Sequence, residues 1–394
     1  MARKETNFKQ TDIGLIPHDW EVKEITDIAS ISTGGQNTQD AEDGGVYPFY
    51  VRSPKVERIN SYLYDTEGVV TAGDGVGVGK VFHYVNGKFG LHQRCYLIHR
   101  FEGVWAKYFY MYFSLQFYNR VMSMTAKSSV DSVRRDMIAH MLIPVPPIEE
   151  QKRIAEVLSH FDEHIDNLAA LLEKRKQVKA ATMQALLSGT TRLPGFTAPW
   201  QDIALGKLCL SMNSGGTPDS KNPNFYGGDI PFLSIADMTL QGKYVSKTSK
   251  TITKEGLDNS SARLVSRGVL LYAMYASLGK CSLSCIDLSI SQAILAIETN
   301  PNLLSTNYLY YYLTYIEEAV KTLGQTGTQT NLSKQLVKEI CVTAPTSVKE
   351  QEAIASILSN MDRGIEALEQ EIKKYRQMKE GAMEELLTGK VRLI

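Results

Sequence analysis

Residues 149–193 align without a gap onto residues 349–393, 200 positions further on, and 18 of the 45 positions are identical. A match of that length without insertion is a duplication, so the chain must fold as two copies of one plan. Glu150-Gln-Lys-Arg-Ile-Ala-Glu-Val-Leu-Ser159 is answered by Glu350-Gln-Glu-Ala-Ile-Ala-Ser-Ile-Leu-Ser359, and both copies end on Leu-Leu, a Gly and Arg-Leu. Each copy reads as helix. Ile154, Leu158, Phe161, Ile165, Leu168 and Leu172 fall at alternating spacings of three and four, and Ile354, Leu358, Met361, Ile365, Leu368 and Ile372 repeat the pattern. That is the seam of a helix with a helical partner. Pro146-Pro147 and Pro345 stand before the two helices, and Gly189 and Gly389 stand where they must stop. Each helix spans about 40 residues, roughly 60 Å at ~1.5 Å per residue. Two such seams predict an intramolecular antiparallel coiled coil.

The segments preceding the helices are related more distantly. Trp20 and Trp200 open them, followed by Gly34-Gly35 and Gly215-Gly216, then Tyr47-Pro48-Phe49 against Ile230-Pro231-Phe232, Gly79-Lys80 against Gly279-Lys280, and Gln93 against Gln292. Short apolar runs such as Gly68-Val-Val-Thr71 and Gly268-Val-Leu-Leu-Tyr272, broken by Gly, Asn and Asp, read as strands and turns. The aromatic stretches 108–113 and 308–313 read as helix core rather than as stacking platforms. The predicted fold class is α+β: two mixed α/β domains, residues 1–148 and 194–348, joined by two long helices, residues 149–193 and 349–394. Hydrophobic residues make up 43% and charged residues 22% of the 394, the balance of a globular chain. The N-terminus lacks the apolar core of a signal peptide, and no apolar run reaches the roughly 18 residues that span a bilayer. The expected compartment is the cytoplasm. Five cysteines, an odd number in a long chain, argue against a disulfide framework.

A chain of this length that catalysed a reaction would carry a constellation of reactive groups. Gly73-Asp-Gly-Val-Gly-Val-Gly-Lys80 looks like a phosphate loop, yet Asp74 replaces the first glycine and Val81 the final Ser or Thr, so a strand-turn-strand is the better account. Asn222-Pro-Asn-Phe225 resembles the Asn-Pro-Pro-aromatic motif of adenine methyltransferases, but Asn224 stands for the second proline and no glycine-rich cofactor motif lies upstream. Cys281 and Cys285 have no second pair at zinc spacing. No catalytic, cofactor-binding or metal-binding set emerges. Lys plus Arg equals Asp plus Glu, 43 each, which argues against a nucleic-acid binder unless one face is locally basic.

Such local clusters are present. The stretch 241–254 carries Lys243, Lys247, Lys250 and Lys254 and no acid, suited to phosphate contacts. The first domain offers Arg52, Lys55 and Arg58, then His92-Gln93-Arg94; Arg and Gln are the residue types that read guanine and adenine edges bidentately. Polar segments precede the last short helix of each domain, with Lys127 and Ser128 in the first and Gln325, Thr328 and Gln329 in the second, as candidate backbone clamps on phosphate.

The order of these features resembles the specificity subunit of type I restriction-modification enzymes over nearly the whole chain. Thr11-Asp-Ile-Gly-Leu-Ile-Pro-His-Asp-Trp20 looks like the family's entry, as do Gly215-Gly-Thr-Pro218 through Phe225-Tyr-Gly-Gly-Asp-Ile-Pro-Phe232, and Gly327-Thr-Gln-Thr-Asn-Leu332 running to Glu350-Gln351. The resemblance implies two target-recognition domains, each reading one part of a split double-stranded DNA site, with a spacer set by the coiled coil. It also implies a non-catalytic chain. Two modification subunits would bind S-adenosylmethionine, and restriction subunits would use ATP and Mg; no cofactor is expected in this chain itself. The first domain lacks the Gly-Thr-Pro signature, so the two half-sites are expected to differ. The rival expectations are a self-contained methyltransferase or nuclease, and a coiled-coil scaffold that binds protein without reading DNA.

Overall fold

The computed structural model describes residues 7–75, 77–124, 132–325 and 331–394, the side chains of 323–325 excepted. The chain divides into two compact units, Met1–Ala169 with Gln370–Ile394, and Ala170–Glu369. The cut passes through both long helices, Ile148–Leu187 and Val348–Leu386, so each unit holds one domain, the start of one long helix and the end of the other.

In the first unit the all-buried strand Gly68–Ala72 sits inside an antiparallel sheet ordered Ser30–Thr33, Cys95–His99, Gly68–Ala72, Phe82–Val85. Its apolar residues, closed by glycine at each end, suit a strand covered on both faces. A second sheet joins Tyr47–Tyr50 to Lys88–Leu91 in parallel, with Phe49 beside Gly90 and Tyr50 beside Leu91. Helix Ala106–Ser123 covers the first sheet with Tyr108, Phe109, Tyr112, Phe113 and Phe117, buried at helical spacing. The Phe113 and Phe117 rings stack at 4.3 Å, and each buried aromatic contributes roughly 1.5–3 kcal/mol.

The second unit repeats the plan. Cys209–Ser214, Ile294–Thr299, Leu270–Ala273 and Cys281–Ser284 take the same order, with Tyr244–Val245 added at the edge. Phe232 lies beside Ser289 and Leu233 beside Ile290 in the corresponding parallel pair. Thr306–Tyr315 buries Tyr308, Tyr311 and Tyr312 as the first unit's helix does its aromatics. The equivalence reaches single bonds: the Tyr108 hydroxyl donates to the Pro144 carbonyl at 2.9 Å, and that of Tyr308 to Thr343 at 2.8 Å.

Within each unit the long helices run antiparallel. Lys379 pairs with Asp162 at 2.5 Å and the His164 and Tyr375 rings meet at 4.3 Å in the first; Lys179 pairs with Asp362 at 2.5 Å and Lys176 with Glu369 at 3.0 Å in the second. The seam residues are buried or half-buried, as the periodicity requires. Its first positions serve two partners. Ile154 and Leu158 join the domain core together with Leu386 and Leu387, and Ile354 and Leu358 do so with Leu186 and Leu187. Gly189 and Gly389, at φ +74° and +73°, take the left-handed turn that ends each helix.

Candidate nucleic-acid interface

Four loops meet at one place in each unit. The Gly-Gly turn after the first sheet strand lies against the turn between the last two strands so closely that a Cβ on Gly34 would stand 2.1 Å from the Leu91 carbonyl oxygen, and one on Gly215 1.8 Å from that of Ile290. The loop leaving the central strand is held against the same turn: Gly73 N–H donates to Arg94 O at 2.8 Å, and Met274 N–H to Ala293 O at 2.9 Å. A fourth segment closes on that loop, Val133 N–H donating to Gly73 O at 2.7 Å and Leu332 N–H to Met274 O at 3.0 Å. The backbone frame is the same twice; the side chains mounted on it differ.

In the first unit the frame gathers charge. Asp74 accepts from Arg52 Nη1 at 2.7 Å on one carboxylate oxygen and from Arg94 Nη1 at 2.8 Å on the other. Burial alone would raise the Asp74 carboxyl, but the hydrogen bonds and charges of the two guanidiniums together outweigh it and hold its pKa below the usual range. Gln93 is exposed and its amide donates to Asn37 Oδ1, while Gln36 accepts from Leu91 N–H at 2.9 Å and donates to Ser61. Asp74, Gln93, Arg94, Thr33 and Tyr96 line a cleft of about 260 Å³. Arg94 is 58% exposed over it, and Arg52, on the far side of Asp74, is 38% exposed, so both keep donors for a ligand. In the second unit Tyr275, 39% exposed, takes the position of Asp74, and Thr217 Oγ1 donates to Gln292 Oε1 at 2.7 Å. Ala276 stands at φ +58° where the first unit has Gly75 at +79°; a left-handed non-glycine is backbone strain of the kind that collects at functional loops.

The structure thus brings together Arg52, Gln93 and Arg94 among the residues the sequence singled out. His92 is corrected: it is 4% exposed, its Nδ1 accepts from Arg94 N–H at 3.1 Å, and it shapes the turn rather than facing a ligand. Lys243 is corrected for the same reason. Its ammonium lies among the Tyr244, Tyr310 and Tyr311 rings and donates to the Tyr311 hydroxyl at 2.7 Å, with only 9% of the side chain exposed, so it anchors the domain to the C-terminal helix. Lys55 pairs with Glu57 at 3.2 Å and Arg58 is exposed on the neighbouring strand; among the described residues no contact joins either to the Asp74 cluster. Lys247 and Lys250 are exposed, and Lys254 pairs with Asp258 at 3.1 Å; this stretch runs along the other sheet of its unit and makes no described contact with the four loops. Lys127, Ser128, Thr328 and Gln329 lie outside the described residues, and Gln325 is the last residue of the helix Glu317–Gln325. Asp74 carries only a weak local signal, an acid set among glycines, and its reach to Arg52 and Arg94 comes from the tertiary fold. Asn222 turns out to cap its own short turn, its side chain accepting from Asn224 N–H at 3.1 Å. Among the described residues no group of three His, Cys, Asp or Glu could hold a metal, and no helix is long and apolar enough to cross a membrane.

The family model for the type I restriction modification DNA specificity domain matches this chain twice, over residues 17–177 and 198–375. The chain belongs to that family. A protein of Methanocaldococcus jannaschii described as the type I restriction enzyme MjaX specificity subunit is 27% identical over 99% of this chain and 98% of its own length. The EcoDI specificity subunit of Escherichia coli is 30% identical over 44% of this chain and 38% of its own length. In fold, the chain is similar to the crystal structure of a type I restriction-modification system S subunit from M. genitalium, with a TM-score of 0.64 over 96% of this chain and 97% of that one at 17% identity.

Proposed function

We propose that the chain is the non-catalytic DNA-reading subunit of a type I restriction-modification complex, that each unit reads one half of a split site through its four-loop frame, and that the paired helices set the unspecified gap. In this reading two modification subunits dock on the helical regions and bring S-adenosylmethionine, and restriction subunits bring ATP and Mg. The observation that carries it is the frame built twice on one backbone plan but furnished with different side chains. A duplicated reader needs a constant scaffold and variable contacts, whereas a duplicated scaffold that bound only protein would have no use for variation at the same four loops.

The test is modular. When residues 198–344 are replaced by the corresponding segment of a relative and the chain is co-expressed with its modification partner, genome-wide methylation mapping is expected to show one half-site changed, the other kept, and the gap retained. A change in both half-sites would defeat the two-reader model. Binding of duplex DNA by the assembled complex is expected to weaken steeply with salt, by the counterion release that phosphate contacts entail; salt-independent association would favour the protein-only scaffold.

A further inference from the structure

Among the described residues, the frame of the first unit holds one arrangement that the second lacks, a carboxylate shared between two arginines from separate loops. Arg52 follows the strand Tyr47–Tyr50, Arg94 lies in the turn before Cys95–His99, and Asp74 leaves the central strand between them. Each guanidinium spends one nitrogen on Asp74, at 2.7 and 2.8 Å, and stays partly open to solvent. A site that only neutralised phosphate would gain nothing from the acid, which cancels one of the two positive charges it sits between. The acid does fix direction. A flexible arginine loses rotamer freedom when it binds, and a guanidinium already held by a carboxylate has given up that freedom beforehand. Direction matters where a planar fork must meet two acceptors at once, and in DNA that target is the N7 and O6 edge of guanine in the major groove.

We propose that Asp74 is a positioning residue that presets Arg94, with Arg52 bracing the same carboxylate, and that Arg94 reads a guanine in the half-site of the first unit. This deepens the function proposed above and rests on it. At the equivalent positions of the second unit stand Tyr275, Ala293 and Ile235, so the requirement belongs to one half-site alone.

The experiment maps methylated sites for the full chain co-expressed with its modification partner, as wild type and as Arg94→Ala, Arg94→Lys, Asp74→Asn and Asp74→Glu. The wild type must first yield a split motif; without one, the function proposed above fails and not merely this assignment. Arg94→Ala is expected to relax one position of one half-site from guanine to any base, lowering discrimination there roughly 5- to 150-fold, the range of one bidentate base contact. Arg94→Lys keeps the charge but loses the fork, and is expected to relax the same position. Asp74→Asn is expected to relax that position partially and Asp74→Glu to restore it in part, a base-specific readout that a purely structural role would not move. An unchanged motif in Arg94→Ala, or full specificity in Arg94→Lys, would overturn the assignment. So would uniform loss of methylation in variants that still co-purify with the partner, which marks a phosphate contact. If Arg94→Ala fails to co-purify, the Arg94→Lys map decides.

Discussion

Glu150 and Glu350 are buried at the first turn of the two long helices, and each is held by an arginine from just beyond the end of the other helix. Arg392 Nε and Nη2 reach Glu150 at 2.7 and 2.8 Å while its fork also grips Asp19, and Trp20 Nε1 donates to the same glutamate at 3.1 Å. Arg192 makes the matching contact with Glu350 at 2.7–3.1 Å, but among the described residues no aspartate joins it, and its side chain is 33% exposed against 9% for Arg392. The next residue binds inward. Gln151 accepts from Trp105 N–H and donates to Gly103 and Pro146 carbonyls, and Gln351 accepts from Ser305 N–H and donates to Leu303 and Pro345. The Glu-Gln pair therefore ties each helix start to the other helix's end on one side and to its own domain on the other. Removing one partner of a buried ion pair leaves the remaining charge uncompensated, at about 3–5 kcal/mol. Arg392→Ala and Arg192→Ala are each expected to destabilise their own unit by about that amount: Glu350 is fully buried and accepts only from Arg192 among the described residues, while Glu150 keeps Trp20 Nε1 and the Leu393 N–H. Hydrogen-exchange protection of peptides from each unit measures both, and unchanged protection in either variant would contradict the role of its buried pair. The pairing was invisible in the repeat itself, since an identical Glu-Gln and an identical Arg-Leu look like ordinary helix ends until the antiparallel fold brings position 150 to 392 and 350 to 192.

At the scale of elements, the helices were legible because their signal is local: a sustained three-four spacing bounded by proline and glycine needs no tertiary context. The helices Ile148–Leu187 and Val348–Leu386 stop just before Gly189 and Gly389, where the sequence places their ends, and short of the 149–193 and 349–394 spans of the repeat. The sheets were legible only as strands. Nothing in Tyr47–Tyr50 or Lys88–Leu91 announces that they pair in parallel, and only that pairing places Arg52 beside the 91–95 turn. Lys243 alone of its stretch departs from the reading, because charge does not report burial and tyrosines more than sixty positions away in sequence cover it. If the paired helices set the gap, lengthening both without disturbing their pairing must lengthen it. Four residues inserted after Leu172 and four after Glu369 add about one turn, roughly 6 Å, with ~40° of rotation beyond a full turn for the supercoil to absorb. At ~3.4 Å per base pair that corresponds to at most about two pairs. The methylated motif is expected to keep both half-sites and gain about one or two unspecified base pairs. Retained activity with an unaltered gap would show that the helices are not the ruler.

The molecule as a whole is two copies of one plan with different chemistry, and its response to acid is expected to be divided accordingly. All seven histidines lie between His18 and His164, in the first unit; residues 170–369 contain none. Three of them are held below the ordinary histidine pKa. Burial is the main cause at His83, partly offset by the bond to the Ser53 carbonyl; at His92 burial is joined by the nearby charges of Arg52 and Arg94, and at His99 by that of Arg100. A depressed histidine is neutral in the fold where the unfolded chain has already taken up its proton. The unfolded state therefore binds more protons just below the unfolded pKa of about 6.5, and stability rises with pH across that window. Read downward, stability of the first unit is expected to fall as pH drops from about 7 through 6.5 and to keep falling until the folded pKa values are passed. The limiting slope is about 1.4 kcal/mol per pH unit for each proton. Protonating His92 adds a particular cost, a third positive charge beside the Arg52–Asp74–Arg94 cluster in a turn that uses its neutral Nδ1 as an acceptor. The second unit has no histidine, and its half-buried thiols at Cys209 and Cys281 are pushed up to about 12 by desolvation, far outside the window. Hydrogen exchange at pH 7.5, 6.5 and 5.5, corrected for intrinsic rates, is expected to show protection lost in residues 30–99 while strands of 209–299 keep theirs. Equal loss in both units, or greater protection of the first at pH 5.5, would rule out control by these histidines.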